Sequence, residues 1–67
     1  MRSERDLLAE ALRDLQKGET VERALSRILR RYGGTYTDYV RIMGDVRDLA
    51  HREKITALDA VKRLAEE

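Results

Sequence analysis

The sequence predicts an all-α protein, a small bundle of three to four amphipathic helices in a single helical domain, residues 1–67. Proline is absent, and strong helix formers dominate the chain. Apolar residues recur at a spacing of three to four in every segment, and no stretch alternates as a β-strand does. A chain of 67 residues without cysteine has no disulfide to stabilise a small core. We therefore expect a homo-oligomer, with a dimer favoured, to complete the bundle.

The first two helices are predicted over Glu4–Lys17 and Thr20–Tyr32, because glycine follows each of them, at Gly18 and at Gly33-Gly34. An antiparallel hairpin is expected because the intervening segment is short. The apolar side of the first helix consists of Leu7, Leu8, Ala11, Leu12 and Leu15. The apolar side of the second consists of Val21, Ala24, Leu25, Ile28, Leu29 and Tyr32.

The third helix is predicted over Tyr36–Arg52 and the fourth over Ala57–Ala65. The segment between them contains neither glycine nor proline, so one long bent helix is the alternative. Thr56 favours two helices because it has the character of an N-cap. Ser3, Thr35 and Thr56 are each followed three residues later by an acid, at Asp6, Asp38 and Asp59, which is the pattern of a helix start.

The third helix has an apolar face that is wider than one neighbouring helix requires. Such a face is typical of a central helix or of a dimer seam. The expected oligomer interface consists of Tyr39, Ile42, Met43, Val46 and Leu49. Gly44 lies in the middle of this helix at a cost of about 1 kcal/mol relative to alanine. It either permits a close helix crossing or is simply tolerated.

Four arginines on the second helix form what we call the arginine stripe: Arg23, Arg27, Arg30 and Arg31. No acidic residue lies between Arg23 and Asp38. One interpretation is structural, since Asp6, Glu10 and Asp14 on the first helix have the same spacing. An antiparallel pairing brings together Asp14 with Arg23, Glu10 with Arg27, and Asp6 with Arg31. Exposed pairs of this kind select a register more than they stabilise it, at roughly 0–1 kcal/mol each.

The other interpretation of the stripe is contact with phosphate. Arginines, tyrosines, a Gly-Gly turn and a helix start lie close together in the chain, which is a plausible anion or nucleic-acid surface. The candidate contacts are Arg27, Arg30, Arg31, Tyr32, Tyr36 and Arg41. Asp38 weakens this interpretation, because a helix that enters a DNA groove usually presents positive charge there.

No catalytic, cofactor or metal site is predicted. Asp48 and His51 are one turn apart, but such pairs are usually ordinary surface contacts. Although 40% of residues are charged, the net charge is only +1, so the chain is no polycation. It has no apolar run of about 18 residues and no apolar signal core, so we expect no membrane association and a cytoplasmic location.

The sequence therefore predicts a non-enzymatic protein–protein interaction or regulatory module that associates with itself and accepts a protein partner. A nucleic-acid-binding protein that uses the basic Arg23–Arg41 region is the alternative.

Overall fold

A computed structural model describes residues 3–66 of the chain, and within them all regular structure is helical. Four helices follow one another: α1 (Glu4–Arg13), α2 (Val21–Arg31), α3 (Tyr36–Glu53) and α4 (Ala57–Glu66). The all-α prediction is confirmed. The starts of the helices lie within one residue of the predicted starts, because the hydroxyl residues that define them cap as expected.

The N-terminus of each helix follows a serine or threonine whose side-chain oxygen accepts a backbone N–H three residues later. The three predicted caps are confirmed, and Thr20 is a fourth. At α3 the capping is reciprocal: Asp38 N–H donates to Thr35 Oγ1 at 3.2 Å, and Thr35 N–H donates to Asp38 Oδ2 at 2.9 Å. Each cap stabilises its helix by roughly 0.5–2 kcal/mol.

The first helix ends at Arg13, four residues before the predicted Lys17. The chain closes a turn instead: Gln16 N–H donates to Glu19 Oε1 at 3.0 Å, and Glu19 N–H donates to Gln16 O at 2.9 Å. Gly18 adopts a φ of 80° within this turn. The linker of residues 14–20 is therefore longer than periodicity alone indicated, because local hydrogen bonds replace the last helical turn.

Two separate helices, α3 and α4, replace the alternative of one bent helix. Lys54 takes the left-handed conformation, with φ 56° and ψ 47°, which ends α3. Ile55 N–H then donates to Ala50 O at 3.0 Å, as in the Schellman type of helix end. Thr56 caps α4 directly afterwards. A break without glycine or proline is thus made by a capping residue and by a lysine in an unusual backbone conformation.

All four helices contribute to one hydrophobic core, with α2 packed against the other three. Its buried members are Leu7, Leu8, Ala11, Val21, Ala24, Leu25, Ile28, Leu29, Ile42, Met43, Val46, Ala60 and Val61. No polar side chain is buried among residues 3–66. The radius of gyration of 10.8 Å matches the ~10.9 Å expected for a folded chain of this length. A single chain therefore encloses its own core.

The turn between α2 and α3 depends on two glycines. Gly33 has a φ of 73°, which favours glycine. Gly34 lies against Leu29, so that an added Cβ would come within 2.6 Å of Leu29 Cδ2 and 3.1 Å of Leu29 Cβ. By contrast, a Cβ added at Gly44 would meet no heavy atom within 4 Å. The close approach at Gly34 fixes how the start of α3 is set against the end of α2.

We expect opposite effects from the same substitution at these two positions. Gly34→Ala should lower the free energy of unfolding by about 1–3 kcal/mol, because the methyl group overlaps Leu29. Gly44→Ala should raise it by about 0.5–1 kcal/mol, because the methyl group has space and alanine favours the helix. Urea unfolding followed by circular dichroism measures both. Equal destabilisation by the two variants would contradict this account.

Candidate interaction surface

Arg27, one of the predicted anion contacts, holds the linker between α1 and α2. Its guanidinium forms an ion pair with Glu19 and also donates to the Asp14 carbonyl oxygen at 2.7 Å. The Gln16 N–H and the Arg27 guanidinium both lower the pKa of the Glu19 carboxyl. Arg27 therefore closes the linker onto α2 and is occupied within the chain.

Arg31 and Tyr32 also have partners within the chain, which are carboxylates on α1 and directly after its end. Arg31 forms ion pairs with Asp14 Oδ2 at 3.0 Å and with Glu10 Oε1 at 3.7 Å. Asp14 and Glu10 raise the pKa of Arg31. The Tyr32 hydroxyl donates to Glu10 Oε1 at 2.8 Å. These contacts bind the end of α2 to α1.

The structural interpretation of the arginine stripe is thus supported for Arg27 and Arg31, but the pairs differ from those predicted. Arg31 faces Asp14 and Glu10 instead of Asp6, and Arg27 faces Glu19 instead of Glu10. The carboxylates of Glu10 and Asp14 therefore lie nearer the C-terminal end of α2 than the predicted register places them. Sequence spacing could not reveal this, because Glu19 lies in the turn and outside both helical patterns.

Arg30 and Arg23 remain on the solvent side of α2. Within residues 3–66, the Arg30 guanidinium forms neither an ion pair nor a hydrogen bond. It borders a cleft of about 320 Å³ between α2 and the start of α3. Leu29, Gly34, Tyr36 and Tyr39 also line this cleft. An unpaired guanidinium and two aromatic rings thus line the same cleft.

The large apolar side chains exposed among the described residues all lie near the α2–α3 turn. Tyr36 is 79% exposed, Val40 is 50% exposed and Tyr32 is 40% exposed. The Tyr36 and Tyr39 rings stack with centroids 6.2 Å apart and planes inclined by 22°. We call Tyr32, Tyr36, Tyr39 and Val40 the tyrosine patch. Its three tyrosines are among the predicted contact or interface residues. Val40 is not among them, although it is exposed just outside the buried side of α3.

A second cleft, of about 410 Å³, lies on the other side of the same turn and carries the opposite charge balance. Glu4 and Asp38 line it together with Arg41, which pairs with Asp38 at 3.5 Å. Burial raises the pKa of the Glu4 carboxyl, and Asp45 raises it further, whereas Arg41 opposes the rise. The predicted contact Arg41 is therefore set among acids, on the less basic side of the patch.

The expected oligomer interface on α3 stays a prediction, and a single chain covers most of its side chains within its own core. Ile42, Met43 and Val46 are fully buried inside the single chain, and Tyr39 and Leu49 pack against the same core from partly buried positions. The wide apolar face of α3 is covered by α2 and α4. Three of the five residues are thus unavailable to a second chain, because one chain already buries them.

Comparisons with protein-family models, with curated proteins and with solved structures find no match for this chain. Among residues 3–66, no three His, Asp or Glu side chains are grouped as a metal ion would require. None of the four helices has both the length and the apolar character needed to cross a membrane within the described range. The tyrosine patch with Arg30 is the candidate interaction surface.

We expect Arg27→Gln to lower the free energy of unfolding by about 1 kcal/mol, because a hydrogen bond to the Asp14 carbonyl is lost. Arg23→Gln removes the same charge from the same helix, and within residues 3–66 the Arg23 guanidinium forms no hydrogen bond or ion pair, so this change should alter stability by less than about 0.5 kcal/mol. Thermal and urea unfolding of the two variants give this difference. If both substitutions are equally mild, Arg27 does not hold the linker.

We expect the stabilising effect of Asp38 to disappear in acid. The N–H and hydroxyl of Thr35, and then Arg41, lower the pKa of Asp38. The charged form therefore stabilises the fold above the ordinary aspartate pKa of about 4, and this contribution is lost as the pH falls through the folded-state value. Asp38→Asn should be less stable than the original chain at neutral pH and should converge with it in acid.

Urea unfolding at a series of pH values tests this expectation. Asp48→Asn is the matched control, because Asp48 is exposed on the same helix and caps nothing. We expect it to change stability less than Asp38→Asn does at neutral pH. A deficit of Asp38→Asn that stays constant down to low pH would show that the charge of Asp38 does not contribute.

Proposed function

We propose that this protein is a non-enzymatic helical module for protein–protein interaction that associates with a second copy of itself. The observation that carries the proposal is that the exposed large apolar side chains of residues 3–66, Tyr32, Tyr36 and Val40, all lie near the α2–α3 turn, where Tyr36 lines the same cleft as Arg30. Contiguous exposed apolar surface with a polar rim is typical of interaction sites. Tyrosine and arginine are also among the residues that most often dominate binding energy at interfaces.

The proposed association joins chains that are already folded. Thirteen hydrophobic side chains among residues 3–66 are buried in the core of a single chain, so they do not need a partner to cover them. The surface that remains for a partner is small, and small interfaces are typical of weak, reversible complexes. We therefore propose a reversible equilibrium between monomer and dimer, with the tyrosine patch contributing apolar contacts.

Nucleic-acid binding is the second candidate, and one observation favours it. Arg30 has no partner within residues 3–66 and borders a cleft that Tyr36 and Tyr39 also line. Guanidinium groups bind phosphate, and tyrosine rings stack on bases. Against it, Arg27 and Arg31 are paired within the chain, and Glu4 and Asp38 lie across the turn. Only part of the arginine stripe is therefore available to phosphate.

The first experiment is the solution mass as a function of concentration, measured by sedimentation velocity over about a hundredfold range. We expect the mass to rise from monomer towards dimer, and Tyr36→Ser to shift the rise to higher concentration. Lys62→Ser, an exposed change on α4, should leave it unchanged. A monomer at every concentration would refute self-association, and an unaffected Tyr36→Ser variant would remove the tyrosine patch from the interface.

A gel shift with mixed DNA and RNA at low salt separates the two candidate functions. The useful variant is Arg23→Gln with Arg30→Gln, because neither arginine holds the fold through an ion pair within residues 3–66. Arg47→Gln with Arg52→Gln is the matched control on α3. Salt-sensitive binding that only the first variant abolishes would establish the second candidate. No binding at low salt would exclude it.

A further inference from the structure

The outer side of α3 is turned away from the core and has an unexplained glycine at its centre. Thr37, Val40, Arg41, Asp48 and His51 are exposed on this side. Gly44 lies between them, and apart from the adjacent backbone of α3 no heavy atom of residues 3–66 lies within 4 Å of a Cβ added at that position. Glycine in a helix costs about 1 kcal/mol relative to alanine. Nothing within residues 3–66 requires that cost, whereas Gly34 is required by its contact with Leu29.

The charges around Gly44 are arranged symmetrically along the helix. At about 100° and about 1.5 Å per residue, Arg41 lies about 4.5 Å before Gly44 and Asp48 about 6 Å after it. Both lie to the same side of Gly44, by about 60° and about 40° respectively. Val40 and Tyr36 lie to the other side, continuing the tyrosine patch onto this face. A positive and a negative charge therefore flank the glycine at nearly equal distances.

We propose that a second copy of this chain packs its α3 antiparallel against this face, with the two helices crossing at Gly44. This proposal rests on the proposed self-association and identifies its geometry. A two-fold axis at Gly44 places Arg41 of each copy opposite Asp48 of the other, which forms two equivalent ion pairs. On the other side of the crossing, Val40 and Tyr36 of each copy meet Arg47 and His51 of the other.

Charge selects the antiparallel arrangement over the parallel one. In a parallel pair, Arg41 would face Arg41 and Asp48 would face Asp48, and like charges in contact oppose association. Arg41 is free to turn towards a second copy, because its pair with Asp38 is 3.5 Å long and its side chain is 57% exposed. The absence of a side chain at Gly44 lets the two helix axes approach closely at the crossing point.

The interface expected from this geometry is limited in size. α3 has 18 residues and is therefore about 27 Å long. One pair of such helices falls at the low end of specific interfaces, where complexes are weak and transient. The proposed dimer should accordingly dissociate on dilution, and its ion pairs should weaken as salt is added.

Charge reversal tests the arrangement directly. Arg41→Asp and Asp48→Arg should each raise the dissociation constant of the dimer at least about tenfold, since each replaces two ion pairs by like-charge contacts. The double variant, with both changes in one chain, should restore association to near the original value. Arg52→Asp, on the same helix away from the crossing, is the matched control and should have little effect. Sedimentation velocity and circular dichroism together separate association from folding.

Gly44→Ala tests the crossing independently, because it should stabilise the single chain but weaken the dimer. The single chain should become more stable to urea, as the space around Gly44 indicates. The dimer should nevertheless dissociate more readily, by at least about tenfold, because the methyl groups hold the helices apart. A variant that is merely misfolded would lose both properties.

These experiments distinguish failure of the crossing at Gly44 from failure of the proposed self-association. A dimer that ignores both charge reversals and Gly44→Ala refutes the crossing at Gly44 and leaves self-association standing. Loss of association in both reversals without rescue in the double variant overturns the antiparallel pairing. An original chain that stays monomeric at every concentration overturns self-association and the crossing together.

Discussion

The structure depends on covering the apolar side of α2. Ala24, Leu25 and Ile28 are entirely inaccessible to solvent, and α1, α3 and α4 all pack against this helix. Burying such side chains stabilises by about 1.5–3 kcal/mol for each large residue, so covering this side of α2 is a large part of what the other helices contribute. The remaining side of α2 is then left to its arginines, whose positions follow from the packing.

Those arginines divide into two groups with different consequences. Arg27 and Arg31 turn towards the linker and the carboxylates of α1, where they fix how the first two helices are joined. Arg30 lines the cleft between α2 and the start of α3 that Tyr36 and Tyr39 also line. The arginines form a single stripe in the sequence, but in the structure they face different neighbours because they lie on different sides of α2. Only Arg30 belongs to the proposed interaction surface.

The close contact of Gly34 with Leu29 connects the core to the proposed interaction surface. It brings the start of α3 against the end of α2, which creates the clefts on both sides of the turn and leaves Tyr36 outside. From there the exposed side of α3 runs through Val40 to Gly44. The same helix thus gives its inner side to the core and its outer side to the proposed partner, with Tyr39 at the border between the two.

The sequence by itself determined the helices and their starts. Apolar periodicity and hydroxyl caps are local, so Ser3, Thr35 and Thr56 could be read without knowing any neighbour. Only the tertiary structure decided which charges pair and which apolar residues remain exposed. Arg27 pairs with Glu19 in the linker, and Arg31 pairs with Asp14 and Glu10, which differ from the partners predicted by spacing. Burial of Ile42, Met43 and Val46 in one chain moved the proposed interface to the opposite side of α3. Both outcomes depend on distances between residues far apart in the chain, which local patterns do not specify.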